Sequence, residues 1–255
     1  MFDSSLIFLG PVIFIAGFID AIAGGGGLLT VPAYLIAGIP PTLTLGTNKF
    51  VSTIGTFVST SRYIINKRVL WPVAIVGIPF SLIGAMVGAN TVAFLPQDLV
   101  RKVILIALPV AAVLVLIPKP KDHQEIKMEW RTLRLWILTP LITFSIGWYD
   151  GIFGPGTGSL LVLALYGIGR LNFLHSAATA RVFNLISNVG ALVTFLIHGK
   201  VLFAIGIPLA FFGMVGHYAG AHLALKKGDE LVRGMLALSC TILFVYLLLQ
   251  HFYKN

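Results

Sequence analysis

Four charged side chains stand inside stretches that are otherwise apolar: Asp20, Lys49, Asp150 and Arg181. Burying an ionisable group at membrane depth costs at least a few kcal/mol, so such a group is either paired or lines a polar route. Two readings of the set are compatible. In one, an acid and a base within each half of the chain hold a broken segment against the next helix. In the other, Lys49 and Arg181 attract an anion while Asp20 and Asp150 orient them or exchange protons. Polar residues accompany both cations: Thr47, Asn48, Ser52 and Thr56 beside Lys49, and Thr179, Asn184, Ser187 and Asn188 beside Arg181. The spacing of Asn48, Ser52 and Thr56, and of Asn184 and Asn188, puts each set on one helical face. Such a stripe either lines an anion route or hydrogen-bonds a neighbouring helix. The candidate substrate ligands are therefore Lys49 and Arg181, with Asn48, Ser52, Thr179 and Asn184, and Asp20 and Asp150 as coupling or charge partners.

Two glycine clusters belong to the same constellation. Gly24, Gly25, Gly26 and Gly27 run without interruption, and Gly154-Pro155-Gly156-Thr157-Gly158 repeats the device further on. Neither can continue a good helix, because glycine is entropically costly there and proline lacks a donor. A chain that breaks and restarts as a helix presents backbone N–H groups and a positive dipole end, which suits oxyanions. Gly24, Gly25, Gly26, Gly154, Gly156 and Gly158 join the candidate site on that ground; close helix packing is the competing use of such glycines. No GxxxxGK[ST] run or strand accompanies them, so they are not a soluble phosphate loop. His175, His198, His217 and His222 have no acceptor partner set by sequence and read as loop or packing residues, with proton handling as the competing use. No metal spacing, nucleophile elbow or pair of catalytic carboxylates occurs, so the chain reads as a non-enzyme with no catalytic residue, metal or cofactor.

The elements that must position these residues follow from composition. The 255 residues are 57% hydrophobic and 11% charged, with a mean hydropathy of +0.95. Charges are absent from 4–19, 69–97, 103–118, 201–225 and 234–250, each about the length that crosses a core of roughly 30 Å as a helix. A chain this short cannot wrap so many apolar helices in polar layers. The fold expected is all-α: a polytopic transmembrane bundle. The net charge of +9 lies mostly in short connections, the pattern of cytoplasmic loops rather than of nucleic-acid binding. Cys240 stands alone in an apolar stretch and forms no intrachain disulfide. The first apolar segment has no basic residue before it and runs into glycines instead of a cleavage site, so it reads as retained.

The two halves are similar at an offset of about 130 residues. GFIDAIAGGGG at 17–27 matches GWYDGIFGPGT at 147–157, and TNKFVSTIG at 47–55 matches TARVFNLIS at 179–187, setting Asp20 against Asp150 and Lys49 against Arg181. Arg68-Val69 faces Lys200-Val201, Gly77-Ile78-Pro79 faces Gly206-Ile207-Pro208, and Leu99-Val100-Arg101 faces Leu231-Val232-Arg233. Residues 1–118 thus form a first repeat and 135–255 a second, joined by a polar cytoplasmic loop at 119–134 that carries eight charges. Each repeat holds an interrupted segment (5–38, 135–167) and three further helices (43–65, 69–92, 99–117; 172–198, 201–224, 231–252). If each interrupted segment is a hairpin, the loop cations divide twelve to four; as single crossings they divide ten to six. The sharper division favours hairpins, hence an odd number of crossings per half and repeats inverted in the bilayer, with both termini outside the cytoplasm.

At GFIDAIAGGGGLLTVPAYL and GWYDGIFGPGTGSLLVLAL, followed by NKFVSTIGTFVST and TARVFNLISNVGALVTF, the chain resembles the TauE/SafE sulfite-exporter family, in particular its YfcA-like branch. The resemblance extends over essentially the whole chain and both repeats. It implies a multi-pass permease of the bacterial inner membrane for small sulfur-containing anions, such as sulfite or organosulfonates, driven by a proton or sodium gradient. The partners it implies are that anion, the coupling ion and the lipid bilayer; no oligomeric state follows from it. The branch pattern carries lysine where this chain has Arg181, and a planar fork suits bidentate oxyanion contact better than an ammonium does. A membrane assembly or interaction subunit whose internal charges are structural is the alternative to a permease.

Overall fold

A computed structural model describes residues 2–116, 133–167, 173–228 and 231, and among these it has nine helices and no strand. They are α1 (Phe2–Ala23), α2 (Gly27–Ile36), α3 (Pro41–Ile65), α4 (Trp71–Ala93), α5 (Gln97–Leu116), α6 (Leu133–Ile152), α7 (Thr157–Gly167), α8 (Phe173–Ile197) and α9 (Phe203–Lys227). Leu6–Ala23, Trp71–Ala93, Leu174–Ile197 and Phe203–Lys227 are long and apolar enough to cross a membrane. With 10 and 11 residues, α2 and α7 reach only about half of a hydrocarbon core. The helix expected over 231–252 lies outside the described residues beyond Leu231, as does the loop at 119–134 except for Leu133 and Arg134, which open α6.

Local chemistry sets the breaks. Gly24 (φ +83°), Gly25 (+98°), Gly154 (+92°) and Gly156 (+84°) turn the chain through the left-handed region that side chains disfavour. After the first break α2 folds back along α1: a Cβ on Gly26 would sit 2.7 Å from the carbonyl oxygen of Ala16. A continuous helix would hold those two residues about 15 Å apart. The segment is therefore a hairpin, as the loop charges suggested. α8 ends on Gly199 (φ +63°), with the Lys200 N–H donating to the Phe195 carbonyl.

The most extensive helix packings join one half to the other. α4 packs on α6 as α9 packs on α1, α4 on α8 as α9 on α3, and α3 crosses α8 at the centre. That central pair is antiparallel: Gly46 abuts the Lys200 carbonyl, the Lys49 ammonium reaches Asn188, and the Thr60 hydroxyl donates to the Arg181 carbonyl. Two reciprocal hydrogen bonds set the register. The Leu70 N–H donates to Thr179 Oγ1 (3.2 Å) at the start of α4, and the Leu202 N–H donates to Thr47 Oγ1 (3.0 Å) at the start of α9.

From Leu70 to Leu202 the offset is 132 residues, which makes Gly84 equivalent to Gly216 and Gly88 to Gly220. The packing agrees: Gly84 lies on the Phe144–Trp148 backbone, Gly216 on the Phe14–Phe18 backbone. The sequence match of Gly77-Ile78-Pro79 to Gly206-Ile207-Pro208 is therefore three residues out of register. Gly77 clears space for the Phe183 ring. At the equivalent place Leu209 shares a buried cluster with the smaller Val51, so volume is conserved while the residues are not.

Lys49 and Arg181 apart, the described cations named here gather at two ends of the bundle. Arg62 reaches His222 at 3.0 Å, which sets Arg62, Lys67 and Arg68 beside the end of α9 with Lys226 and Lys227. At the other end Thr42 bonds Gln97 at the start of α5, close to Arg101 and Lys102, and the start of α3 meets Lys200.

Candidate functional site

Asp20 stands in the last turn of α1 and Asp150 in the last turn of α6, each just before a glycine break. Lys49 and Arg181 lie in the N-terminal halves of α3 and α8. Lys49 Nζ is 2.7 Å from Asp150 Oδ2, with both side chains 2% exposed. Arg181 Nη1 is 2.7 Å from Asp20 Oδ2, the arginine being wholly buried and the aspartate 13% exposed. Both ion pairs run from one half of the chain to the other. This corrects the expectation of a pair within each half: the antiparallel crossing of α3 and α8 carries each cation to the broken helix of the opposite half.

Each pair has its own surroundings. Lys49 Nζ also donates to Asn188 Oδ1 at 3.0 Å. Asp20 accepts the Gly26 N–H through Oδ1 at 3.0 Å, so an acid at the unfavourable C-terminal end of α1 gains the positive N-terminal end of α2. Arg181 uses only Nη1; its Nε and Nη2 are buried without a hydrogen-bond partner. Gly158 gives that guanidinium its space, since a Cβ there would collide with Nη2.

A polar cavity lies between the pairs. Asp20, Asp150, Lys49, Asn48, Ser52 and Asn184 line it, as does Asn188, and Gly27, Gly154, Gly156, Thr157 and Gly158 close it from the breaks. About 20 Å³ is open inside it, room for a water molecule. Thr30 donates its hydroxyl proton to Asn48 Oδ1 (2.6 Å), which leaves the Asn48 amide nitrogen as a donor. Most of the residues expected in the site are thus together. Arg181 stands behind Asp20 and does not line the cavity. Thr179 is not there either; it accepts from Leu70 at the start of α4. Gly24 packs on the Gly158–Ser159 backbone, Gly25 turns the chain, and Gly26 spends its N–H on Asp20.

Sequence reasoning named His217 only as one of four histidines that could handle protons, and missed Ser59. His217 of α9 is buried, its Nδ1 is 3.2 Å from Ser59 Oγ and its Nε2 3.9 Å from Asp20 Oδ2. A second cavity of about 20 Å³ adjoins it and shares Asp20, Gly27 and Ser52 with the first. Thr157 was visible inside the second glycine run, and Asn188 on the polar stripe; nothing in the order of residues ties His217 to Asp20. Among the described residues no group of three or more His, Cys, Asp and Glu is placed to hold a metal.

The four charges sum to zero, and three of them, Asp20, Lys49 and Asp150, line a cavity rich in amide and hydroxyl groups, an arrangement that can receive a small polar ion when a pair opens. The family profile described as sulfite exporter TauE/SafE matches residues 9–247. The chain belongs to the TauE/SafE family. Its TauE/SafE relatives include the "Probable membrane transporter protein ORF9" of Sinorhizobium sp, 38% identical over 252 residues that cover 95% of this chain and 92% of the relative. The "Probable membrane transporter protein YfcA" of Escherichia coli K12 is 33% identical over 254 residues, 97% of this chain and 92% of the relative. A "Probable membrane transporter protein" of Haemophilus influenzae is 37% identical over 228 residues, 88% and 87%. No solved structure gives a significant match. With its apolar helices, this TauE/SafE chain is a multi-pass membrane transporter.

Proposed function

We propose that this transporter is a permease of the bacterial inner membrane for a small sulfur-containing oxyanion, such as sulfite or an organosulfonate. The observation that carries the reading is the pair of ion bridges joining the two halves around an amide-lined cavity. Lys49 and Arg181 act as anion ligands, Asn48, Ser52, Asn184 and Asn188 as neutral donors, and the aspartates hold the cations until the anion replaces them. The cavity is smaller than an oxyanion, so binding requires at least one bridge to open. Alternating access follows if the halves, 1–118 and 135–255, are inverted repeats that rock about the crossing of α3 and α8. Antiparallel α3 and α8 and the reciprocal Thr47 and Thr179 bonds support that arrangement. The end of the bundle bearing Arg62, Lys67, Arg68, Lys226 and Lys227 faces the cytoplasm, with the 119–134 loop. No residue is assigned a catalytic role.

That each buried cation already meets a carboxylate favours a second reading, a membrane assembly subunit whose charges only hold the bundle together. Uptake into proteoliposomes containing this protein alone separates the two. The panel is sulfite, sulfate, thiosulfate, methanesulfonate, taurine and simple carboxylates. A permease carries at least one of them and Lys49→Ala abolishes that flux; an assembly subunit carries none and co-purifies with a partner.

A further inference from the structure

We propose that His217 is the proton-binding group of the transport cycle, taking a proton on Nε2 as an anion draws Arg181 away from Asp20. This rests on the anion reading of the site.

The proposal places the hydrogen of the neutral ring on Nδ1. Ser59 Oγ lies 3.1 Å from the Thr56 carbonyl, to which it can donate, and 3.2 Å from His217 Nδ1, from which it can then accept. In that arrangement the ring presents a bare lone pair on Nε2. That lone pair faces Asp20 Oδ2 across 3.9 Å. Two acceptors confront each other, too far apart for a hydrogen bond and lacking the proton that would join them. Asp20 of α1 and Arg181 of α8 are the charged groups that act on the ring; α3 faces it with the neutral Ser59 and with Gly55.

Space has been cleared for the imidazole. A Cβ on Gly17 of α1 would come 2.9 Å from its Cδ2, and one on Gly55 of α3 would collide with it. The equivalents of His217 and Ser59 in the other half, at the 132-residue offset, are Ala85 and Ala191, both buried in an apolar cluster. Only the Asp20–Arg181 bridge has a titratable neighbour of this kind among the described residues.

Charge balance supplies the reason for a proton. Asp20, Asp150, Lys49 and Arg181 are neutral as a set, so an anion arriving alone leaves a net buried charge, which is costly in a low dielectric. A proton from water moves to Nε2, the imidazolium N–H then donates to Asp20 Oδ2, and Arg181 turns its fork to the anion. One monovalent anion and one proton occupy the site together, with no change in net charge and no covalent step.

Methanesulfonate keeps a single negative charge and so serves as the probe. Proteoliposomes are given an inward gradient of about one pH unit with the membrane potential clamped at zero; one-to-one coupling accumulates the anion by up to about tenfold. In His217→Gln the accumulation is expected to fall to equilibration while the yield of monodisperse protein stays that of wild type. Ser59→Ala keeps the ring but removes the acceptor of Nδ1–H, and the pH midpoint of uptake is expected to move to the acid side. Gradient-driven accumulation preserved in His217→Gln overturns the proposal, as does an unmoved midpoint in Ser59→Ala. Wild type that carries no anion of the panel defeats the anion reading, and the ring itself then decides the proton site. Nitrogen NMR of histidine-labelled protein without the anion, with His217 identified by its loss in His217→Gln, is expected to show an Nδ1–H neutral ring. An Nε2–H ring overturns the proposal.

Discussion

Lys49 and Arg181 each meet one carboxylate from the opposite half, but their remaining donors differ. The lysine divides its ammonium between Asp150 and Asn188, whereas the arginine keeps Nε and Nη2 without partners in a buried place. If those two nitrogens serve the substrate, Arg181→Lys preserves the bridge to Asp20 and weakens anion affinity by about one to two orders of magnitude, the worth of a charge-assisted hydrogen bond. Equilibrium binding of methanesulfonate and sulfite to the purified variants measures it; equal affinities would return Arg181 to a structural role. The pairing is tested through stability. Lys49→Met alone strands a buried carboxylate and is expected to cost about 3–5 kcal/mol. Adding Asp150→Asn recovers most of that loss and adding Asp20→Asn recovers none, as thermal unfolding in detergent will report. The four charges were conspicuous in the sequence because nothing near them is charged. Which acid meets which base was not legible, since it depends on two helices crossing antiparallel more than a hundred positions apart. His217 looked like any other histidine for the same reason: its two glycine neighbours and its acid come from α1 and α3.

Both glycine breaks were legible, and so was their role as turns, because a run of glycines inside an apolar stretch has no helical use. Their contacts were not. Gly24 meets Gly158, so the breaks touch each other backbone to backbone at the centre of the bundle. Gly24→Ala places a methyl group into the Ser159 amide at a φ of +83° and is expected to abolish folded protein, measured by monodisperse yield. Gly167→Ala, with open space around it, is expected to leave yield unchanged and stability within about 1 kcal/mol. Helix ends offer a gentler comparison. Lys67 (φ +55°) closes α3 at the position where Gly199 closes α8, and its successor Arg68 donates to the Tyr63 carbonyl as Lys200 does to Phe195. Lys67→Gly should therefore stabilise the protein by up to about 1 kcal/mol, visible as a rise in unfolding temperature. The register of α4 against α9 was misread because Gly-Ile-Pro recurs by chance one helical turn away from the true equivalence. Volume complementarity at Gly77–Phe183 and Leu209–Val51 is a property of pairs, and no single segment displays it.

The membrane orientation can be checked with the chain's single cysteine replaced. In a Cys240→Ser background, Lys226→Cys is expected to resist a membrane-impermeant maleimide added to intact cells, and Arg101→Cys to react. Reaction at position 226 and protection at 101 would reverse the assignment of the cytoplasmic face. Three of the four long apolar helices were legible as charge-free stretches, and Leu174–Ile197, interrupted by Arg181, as a helix of the second repeat; that the halves interlock was not, because a repeat in sequence does not say whether its copies lie side by side or exchange helices. Exchange has a consequence for how such a chain could arise. Lys49 meets Asp150 while Asp20 meets Arg181, and Thr47 serves α9 while Thr179 serves α4. Contacts in which i meets j and j meets i are those of an isologous two-fold interface. These four contacts follow within one chain the pattern of a homodimer interface. A free half would find in a second copy of itself every opposite charge it lacks, provided that the two copies entered the bilayer in opposite directions.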